Sequence, residues 1–522
     1  MRVRARDQAP DWCGVDVGGE QVRWSRGAPE QGGLPEVLVA PSLVSLGQEP
    51  RFVQEALRKR AHEPEWSCHH IVSLTELGAP SLHGELEPQR DALLELLKAS
   101  RPSSLSAARP LVPLIHERGG RLELMTAQGP RPPSAVYAEL LSELLSPPRL
   151  LGEGAEPRDH EQMMVWLSAP GESPYRRAMT AHILSEISPR GVRSINRAAA
   201  MTVALTEELA QVDEGRGRPV RRWAILDVGA TQASLSLVYA NIPERSIELS
   251  AHRGQSGVGA HALERQLIQR RLALAGQSWS ALGRLEKAQL SLDLKERVYW
   301  ALRHSWPQHL SDPQFARLSP HEAEVSHQYL GELATHISAW LEGLLESQGL
   351  LLESLDGLWL SGSVGLALQR LIRRRYPNLR LRFAPEQLAL RGLGQLLSLP
   401  SARSYTISEP LSEALWLTSA AHPPIQLASL EARAPHWVER LIYASDEPSA
   451  IWLSSSASDS VTLWATLPAF SGEPRCLQLA YESPYSAHIS WRSSLGEPLT
   501  RAEGAWSLAL PHHPHSMASA ST

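Results

Sequence analysis

The apolar run WCGVDV (12–17) reads as a buried strand that breaks at Gly18-Gly19, and QVRWS returns beside it as a hairpin. A polar, Gly/Pro-rich connection leads to VLVAPSLVSL. RFVQEALRKRAHE places Phe52, Ala56 and Leu57 at helical spacing. DALLELLKAS and PPSAVYAELLSELL are stronger amphipathic helices, the second entered through prolines. MMVWLSAP reads as a strand stopped at Pro170 and YRRAMTAHILSEI as a helix, and a short segment, VRSI, leads into the alanine-rich helix NRAAAMTVALTEELAQV. A basic-acidic loop then precedes RWAILDVGATQASLSLVYA, a strand, a glycine turn and a second strand.

SIELSAHRGQSGVGAHALERQLIQRRLAL runs strand, glycine loop, helix, and DGLWLSGSVGLALQRLIRRRYP repeats that plan. Residues 278–350 are mostly helical in pattern, and APEQLALRGLGQLLS closes the region with one more helix. Beyond residue 400 the helical period gives way to short alternating runs: VERLIYAS, AIWLSSS, SVTLWATL, CLQLAYES and AHISWRSS. In SVTLWATL, Val461, Leu463, Ala465 and Leu467 share one face of a strand. The predicted organisation is a two-lobed α/β region over 1–400, a linker over 401–415, an antiparallel β domain over 416–510, and a disordered tail over 511–522. Histidines in that tail, PHHPHS, could chelate a metal adventitiously.

Composition adds limits. At 522 residues, two to four structural units are expected. The net charge of −5, from 51 basic and 56 acidic residues, leaves no electrostatic footprint for nucleic acid. Only Lys59, Lys98, Lys287 and Lys295 are lysines, so lysine-dependent chemistry has few candidates. Cys13, Cys68 and Cys476 lie far apart with no CxxC pair, which predicts a reducing compartment and neither a disulfide framework nor a thiolate metal site. The first residues lack the apolar segment of a secretory signal, and no apolar run approaches the ~18 residues of a membrane span, so a cytoplasmic protein without a membrane partner is expected.

Four glycine turns follow in order: GVDVGG, LDVGA, GQSGVG and LSGSVG. The first two place an aspartate two residues before a glycine, which implies two related halves. A nucleotide would lie between them, with backbone N–H groups around its phosphates. Asp16 and Asp227 are the candidate magnesium ligands. Gly18, Gly19, Gly229, Gly254, Gly259, Gly362 and Ser363 complete the candidate nucleotide site.

The set resembles the actin-like (ribonuclease H-like) ATPase fold, and specifically the Hsp70 chaperone family. GVDVGG and LDVGATQASLSLV are similar to that family's two phosphate motifs, and LWLSGSVGLALQRLI to its adenosine motif. MMVWLSAPGESPYRRAMTAHILSEISPRGVRSINRAAAMTVAL is similar to its connecting segment, and RGQSGVGAHALERQL and APEQLALRGLGQLL to the segments around them. SLVSLGQEPRFVQEALRKRAHEPEWSCHHIVSL resembles its first-lobe region. The resemblance runs to about residue 500, and the β domain falls where the family carries a peptide-binding β-sandwich. It implies ATP or ADP with magnesium as cofactor, and an unfolded or extended polypeptide, or a partner protein, as ligand.

Departures cluster on chemistry. Val72 stands at the family's catalytic lysine position, with His69 and His70 nearby, and Arg197 at a glutamate that supports the metal-water network. Gly19 and Glu20 replace two threonines, Gln232 a third, and Ala230 a glycine. Around the base, the resemblance keeps Glu286 as a nucleotide-binding candidate, while Gln289, Leu290, Asp293 and Gly365 replace contact residues. Phosphoryl transfer relies on positioning and charge stabilisation, and each lost electrostatic group typically costs on the order of 10²–10³ in rate. Weak or lost hydrolysis is therefore expected, with no bound cofactor an equal expectation. A pairing of Arg197 with Glu20 across the cleft would plug it. The apolar residues of the linker, Tyr405, Ile407 and Leu411, are spread apart, which offers little for nucleotide-driven coupling. On the β domain, Trp452 and Trp464 are the exposed-face candidates for gripping peptide. The alternatives are an active but divergent chaperone using Lys59, or an actin-fold small-molecule kinase.

Overall fold

The structure is a computed structural model. It describes most of residues 12–509, leaving out among others Glu20, 28–36, 47–50, 78–85, 101–110, 146–162, 214–218, 304–317, 399–404, several turns of the C-terminal region, and both ends of the chain. Lys59 and the expected tail therefore lie outside the described residues. The chain is mixed α/β with several sheets, and it ends in antiparallel β structure. No described helix is long and apolar enough to cross a membrane.

The first half is built on β1 (Trp12–Val17), β2 (Gln21–Gly27), β3 (Val37–Pro41), β4 (Met163–Ser168) and β5 (Val192–Asn196), in the order β5-β4-β1-β2-β3. β1, β2 and β3 form an antiparallel meander, and β4 and β5 add in parallel on the far side of β1. Its helices are α1 (Ile71–Leu77), α2 (Glu87–Ser100), α3 (Pro133–Leu145) and α4 (Pro174–Ile187). α5 (Arg197–Asp213) leads to the second half, where Asn196 accepts from the Ala198 amide and starts the helix.

The second half repeats the plan. β6 (Val220–Val228), β7 (Gln232–Asn241) and β8 (Ser246–Ser256) form the meander, and β9 (Gly357–Ser361) and β10 (Leu381–Phe383) add in parallel, in the order β10-β9-β6-β7-β8. Its helices are α6 (Ala260–Leu274), α7 (Arg284–Arg303), α8 (Pro320–Ser347) and α9 (Gly365–Arg375), and α10 (Leu388–Ser398) closes it. A sixth strand, β11 (Thr406–Ser408), pairs in parallel with β8. Three residues inside the stretch expected to be a linker, Thr406–Ser408, thus join a sheet. Tyr405 is buried and donates to Glu207 at 2.7 Å, and Leu411 is buried completely.

α5 and α10 fill the space between the two sheets. Ala198, Ala199, Ala200, Val203 and Leu205 pack with Leu388, Leu390 and Leu393 against Val165 and Leu167 of one sheet and Trp223 and Ile225 of the other. The alanine run exists because the helices nearly touch: a Cβ on Gly392 would sit 1.8 Å from the Ala200 carbonyl oxygen. Separate cores lie on the outer faces of the two sheets.

The C-terminal region holds β12 (Ala414–Thr418), β13 (Ile425–Ala428), β14 (His436–Ile442), β15 (Ser449–Ser454), β16 (Val461–Leu467), β17 (Arg475–Ser483), β18 (Ser486–Ser493) and β19 (Ala505–Ala509). They form two four-stranded antiparallel sheets, β13-β12-β15-β16 and β14-β17-β18-β19. α2 lies on the first of these: Leu93 and Leu97 pack on Ala450 and Trp452. Gln89 donates to the Pro448 carbonyl and accepts from Thr418, which in turn accepts from the Trp452 indole at 2.7 Å.

Two expectations are corrected. Trp452 is 0% exposed, because α2 covers it; the Trp464 side chain lies outside the described residues. Arg51–Phe52, read as the start of a helix, is a short strand on Val44–Ser45.

Candidate functional site

The repeated halves bring their first turns face to face. β1 carries Asp16 one residue before its end and runs into a turn closed by the Gly18 amide donating to the Gln21 carbonyl at 2.9 Å. β6 carries Asp227 one residue before its end and runs into a turn closed by the Gly229 amide donating to the Gln232 carbonyl at 3.0 Å. Each aspartate sits at the same place in its sheet: Asp16 opposite Arg23 on the neighbouring antiparallel strand, Asp227 opposite Ser234. Both are buried, at 2% and 6% exposure.

Arg197, the first residue of α5, lies between them. Its guanidinium donates to Asp227 Oδ2 at 2.6 Å and, through its other terminal nitrogen, to Asp16 Oδ1. Burial disfavours the charge on Arg197, yet the two carboxylates more than offset that and hold its pKa above the ordinary guanidinium value. Asp16 also faces Arg23 at 3.5 Å, and Arg23 is anchored to Glu386 at 2.7 Å.

A second buried pair braces the turns. Arg176, 1% exposed, donates to the Val17 carbonyl at 2.6 Å and to Thr231 Oγ1 at 3.4 Å, so one side chain spans both turns. Glu172 lies 3.7 Å from Arg176 and 4.0 Å from Arg177. Burial raises the Glu172 pKa, and the two arginines act against that. Four carboxylates (Asp16, Asp227, Glu172, Glu386) are thus matched by Arg23, Arg176, Arg177 and Arg197.

No protein-family model matches the chain, and no curated protein matches it.

Most of the other candidate residues are engaged by protein. A Cβ on Gly19 would sit 2.4 Å from Thr231 Cγ2 and 3.0 Å from Ala230 Cβ, so the first turn packs directly on the second. The N-terminus of α6 is spent as well: the Ala260 and His261 amides donate to the Gly229 and Ala230 carbonyls at 3.2 and 3.0 Å. These are amides that would otherwise be free for an anion. Gly259 has φ of 113° and no room for a side chain, its Cβ position being 2.3 Å from the Gly229 oxygen. Gly362, at φ 84°, is pressed on the Val228 carbonyl, and its Cβ position lies 3.0 Å from Asp227 Oδ1. Ser363 is partly exposed beside it.

Gly254 pairs with Ser234 inside the sheet. Glu286 is exposed and accepts from the Gly283 amide at 2.7 Å, capping its own helix. Val72 is part of the first core. A cavity of about 530 Å³ lies elsewhere, lined by Ile115, His116, Glu123 and Met125 together with Arg284 and Lys287.

The fold therefore brings together Asp16, Gly18, Gly19, Asp227, Gly229, Gly259 and Gly362, and leaves Glu286 and Gly254 in other roles. Arg23, Glu172 and Arg176 went unnoticed in the sequence. Adjacent arginines in the first turn of a helix read as a solvated face, and only tertiary packing shows Arg176 and Arg177 to be buried. A second buried cluster, His70, His261 and Glu264, joins the two halves. His70 Nε2 lies 2.9 Å from Glu264 Oε2, and the imidazole rings are 4.3 Å apart between centroids.

Proposed function

We propose that this chain is a degenerate actin-like protein of the Hsp70 type, whose phosphate site is held shut by its own arginine and whose two-lobed region serves as a fixed scaffold. The observation that carries the reading is the Arg197 guanidinium lodged between Asp16 and Asp227, where a magnesium–phosphate group would need to be. The repeated strand order of the two halves, with an aspartate one residue before the end of the central strand of each, supports the actin-like part.

Binding Mg-ATP would require expelling Arg197 and separating turns that touch. Two charge-assisted hydrogen bonds are worth about 1.5–3 kcal/mol each. Losing both weakens binding by roughly 10²–10⁴-fold before the turns are parted.

The C-terminal sheets supply the binding activity, through capture of an extended polypeptide. α2 covers the Trp452 face, so the added strand pairs with an edge, β13 or β16 of the first sheet, where backbone groups give affinity. Calorimetry of the full chain with Mg-ATP is the direct test. No heat of binding and no turnover above background are expected; micromolar affinity would overturn the reading.

A further inference from the structure

The His70, His261 and Glu264 cluster belongs to neither phosphate turn. His70 closes the connection into α1 of the first half; His261 and Glu264 stand three residues apart on α6 of the second, on one face of the helix. Their exposures are 6%, 3% and 3%. One donor atom from each lies within 4.8 Å of the others. Glu264 Oε2 meets His70, but Glu264 Oε1 is buried and has no hydrogen-bond partner. A buried carboxylate oxygen without a donor is costly, so this one is available for a cation.

We propose that His70, His261 and Glu264 bind a divalent transition-metal ion of the zinc class, which staples the two halves together. Two imidazoles and a carboxylate make a borderline donor set that suits Zn²⁺ with a fourth position left open. Bonds of about 2.0–2.2 Å place neighbouring donors roughly 3.3 Å apart, so small side-chain rotations suffice to close the set. Lys295 is nearly buried close by, and its charge reaches His70. That ammonium opposes a dication and limits the site to reversible occupancy. The inference is independent of whether nucleotide binds.

The test is zinc titration of the chelator-stripped full chain by calorimetry, with thermal unfolding measured in parallel. His512, His513 and His515 are a separate potential chelator, so every variant carries alanine at those three positions. One equivalent of Zn²⁺ and a raised Tm are expected, with His261→Ala and Glu264→Gln each weakening binding at least about tenfold. Glu264→Gln keeps the side chain's volume and its bond to His70, so it decides the matter if His261→Ala does not fold. Absence of zinc binding in the tail-substituted chain, or undiminished affinity in Glu264→Gln, would overturn the proposal.

Discussion

Arg197 shows how one side chain can change what a site does without changing its frame. A guanidinium is always charged, carries donors in a fixed fork, and reaches two carboxylates at once. Here it satisfies two buried aspartates that would otherwise repel each other. Arg197→Met should therefore lower stability by about 3–5 kcal/mol, read as a shift of the urea midpoint, because it leaves like charges buried together. Adding Asp16→Asn and Asp227→Asn to Arg197→Met should recover much of that loss. If Arg197→Met unfolds at the wild-type midpoint, the guanidinium does not hold the turns. The candidate aspartates were legible in the sequence from their spacing to glycine. Their engagement by a protein cation was not, since Arg197 is 30 residues from one partner and 181 from the other.

At the scale of elements, the strand–turn–helix units were readable because each carries its own signal: alternation, a glycine at the break, then helical period. β11 and β12 were not, because TIS and ALWLT are too short to show a period; β11 exists only because β8 offers an open edge. The docking of α2 was equally invisible. DALLELLKAS predicts a helix with an apolar face but not what that face meets. The face meets Ala450 and Trp452, some 350 residues away. Leu93, fully buried in this contact, should cost about 2–5 kcal/mol when cut to alanine. The consequence should be local: limited proteolysis of Leu93→Ala should release the C-terminal sheets before the two repeated α/β halves. Cleavage indistinguishable from wild type would show that α2 does not hold them.

Across the whole molecule, the two halves meet through charge as well as through α5 and α10. His252 on β8 has both ring nitrogens buried without hydrogen-bond partners, and burial, with the Arg177 guanidinium of α4 adding to it, lowers its pKa to about 4. An unfolded histidine titrates near 6.5, so between those values the unfolded chain takes a proton that the folded chain refuses. Stability is then complete above about pH 6.5 and falls as the pH drops towards 4, by at most about 3 kcal/mol from this residue. His252→Gln should flatten that part of the stability-against-pH curve measured by urea unfolding. An unchanged slope would place the acid sensitivity elsewhere.

The sequence by itself determined the strands that flank the glycine turns, the turns themselves, the paired aspartates and the change to short alternating runs beyond residue 400, because each is written in neighbouring residues. Tertiary structure alone decided that the turns touch, that Arg197 fills the space between Asp16 and Asp227, and that Trp452 lies under α2. Those outcomes depend on groups far apart in the chain competing for one place. The cation that satisfies two buried carboxylates is the one the folded backbone places within reach of both, and no local pattern of residues records that distance.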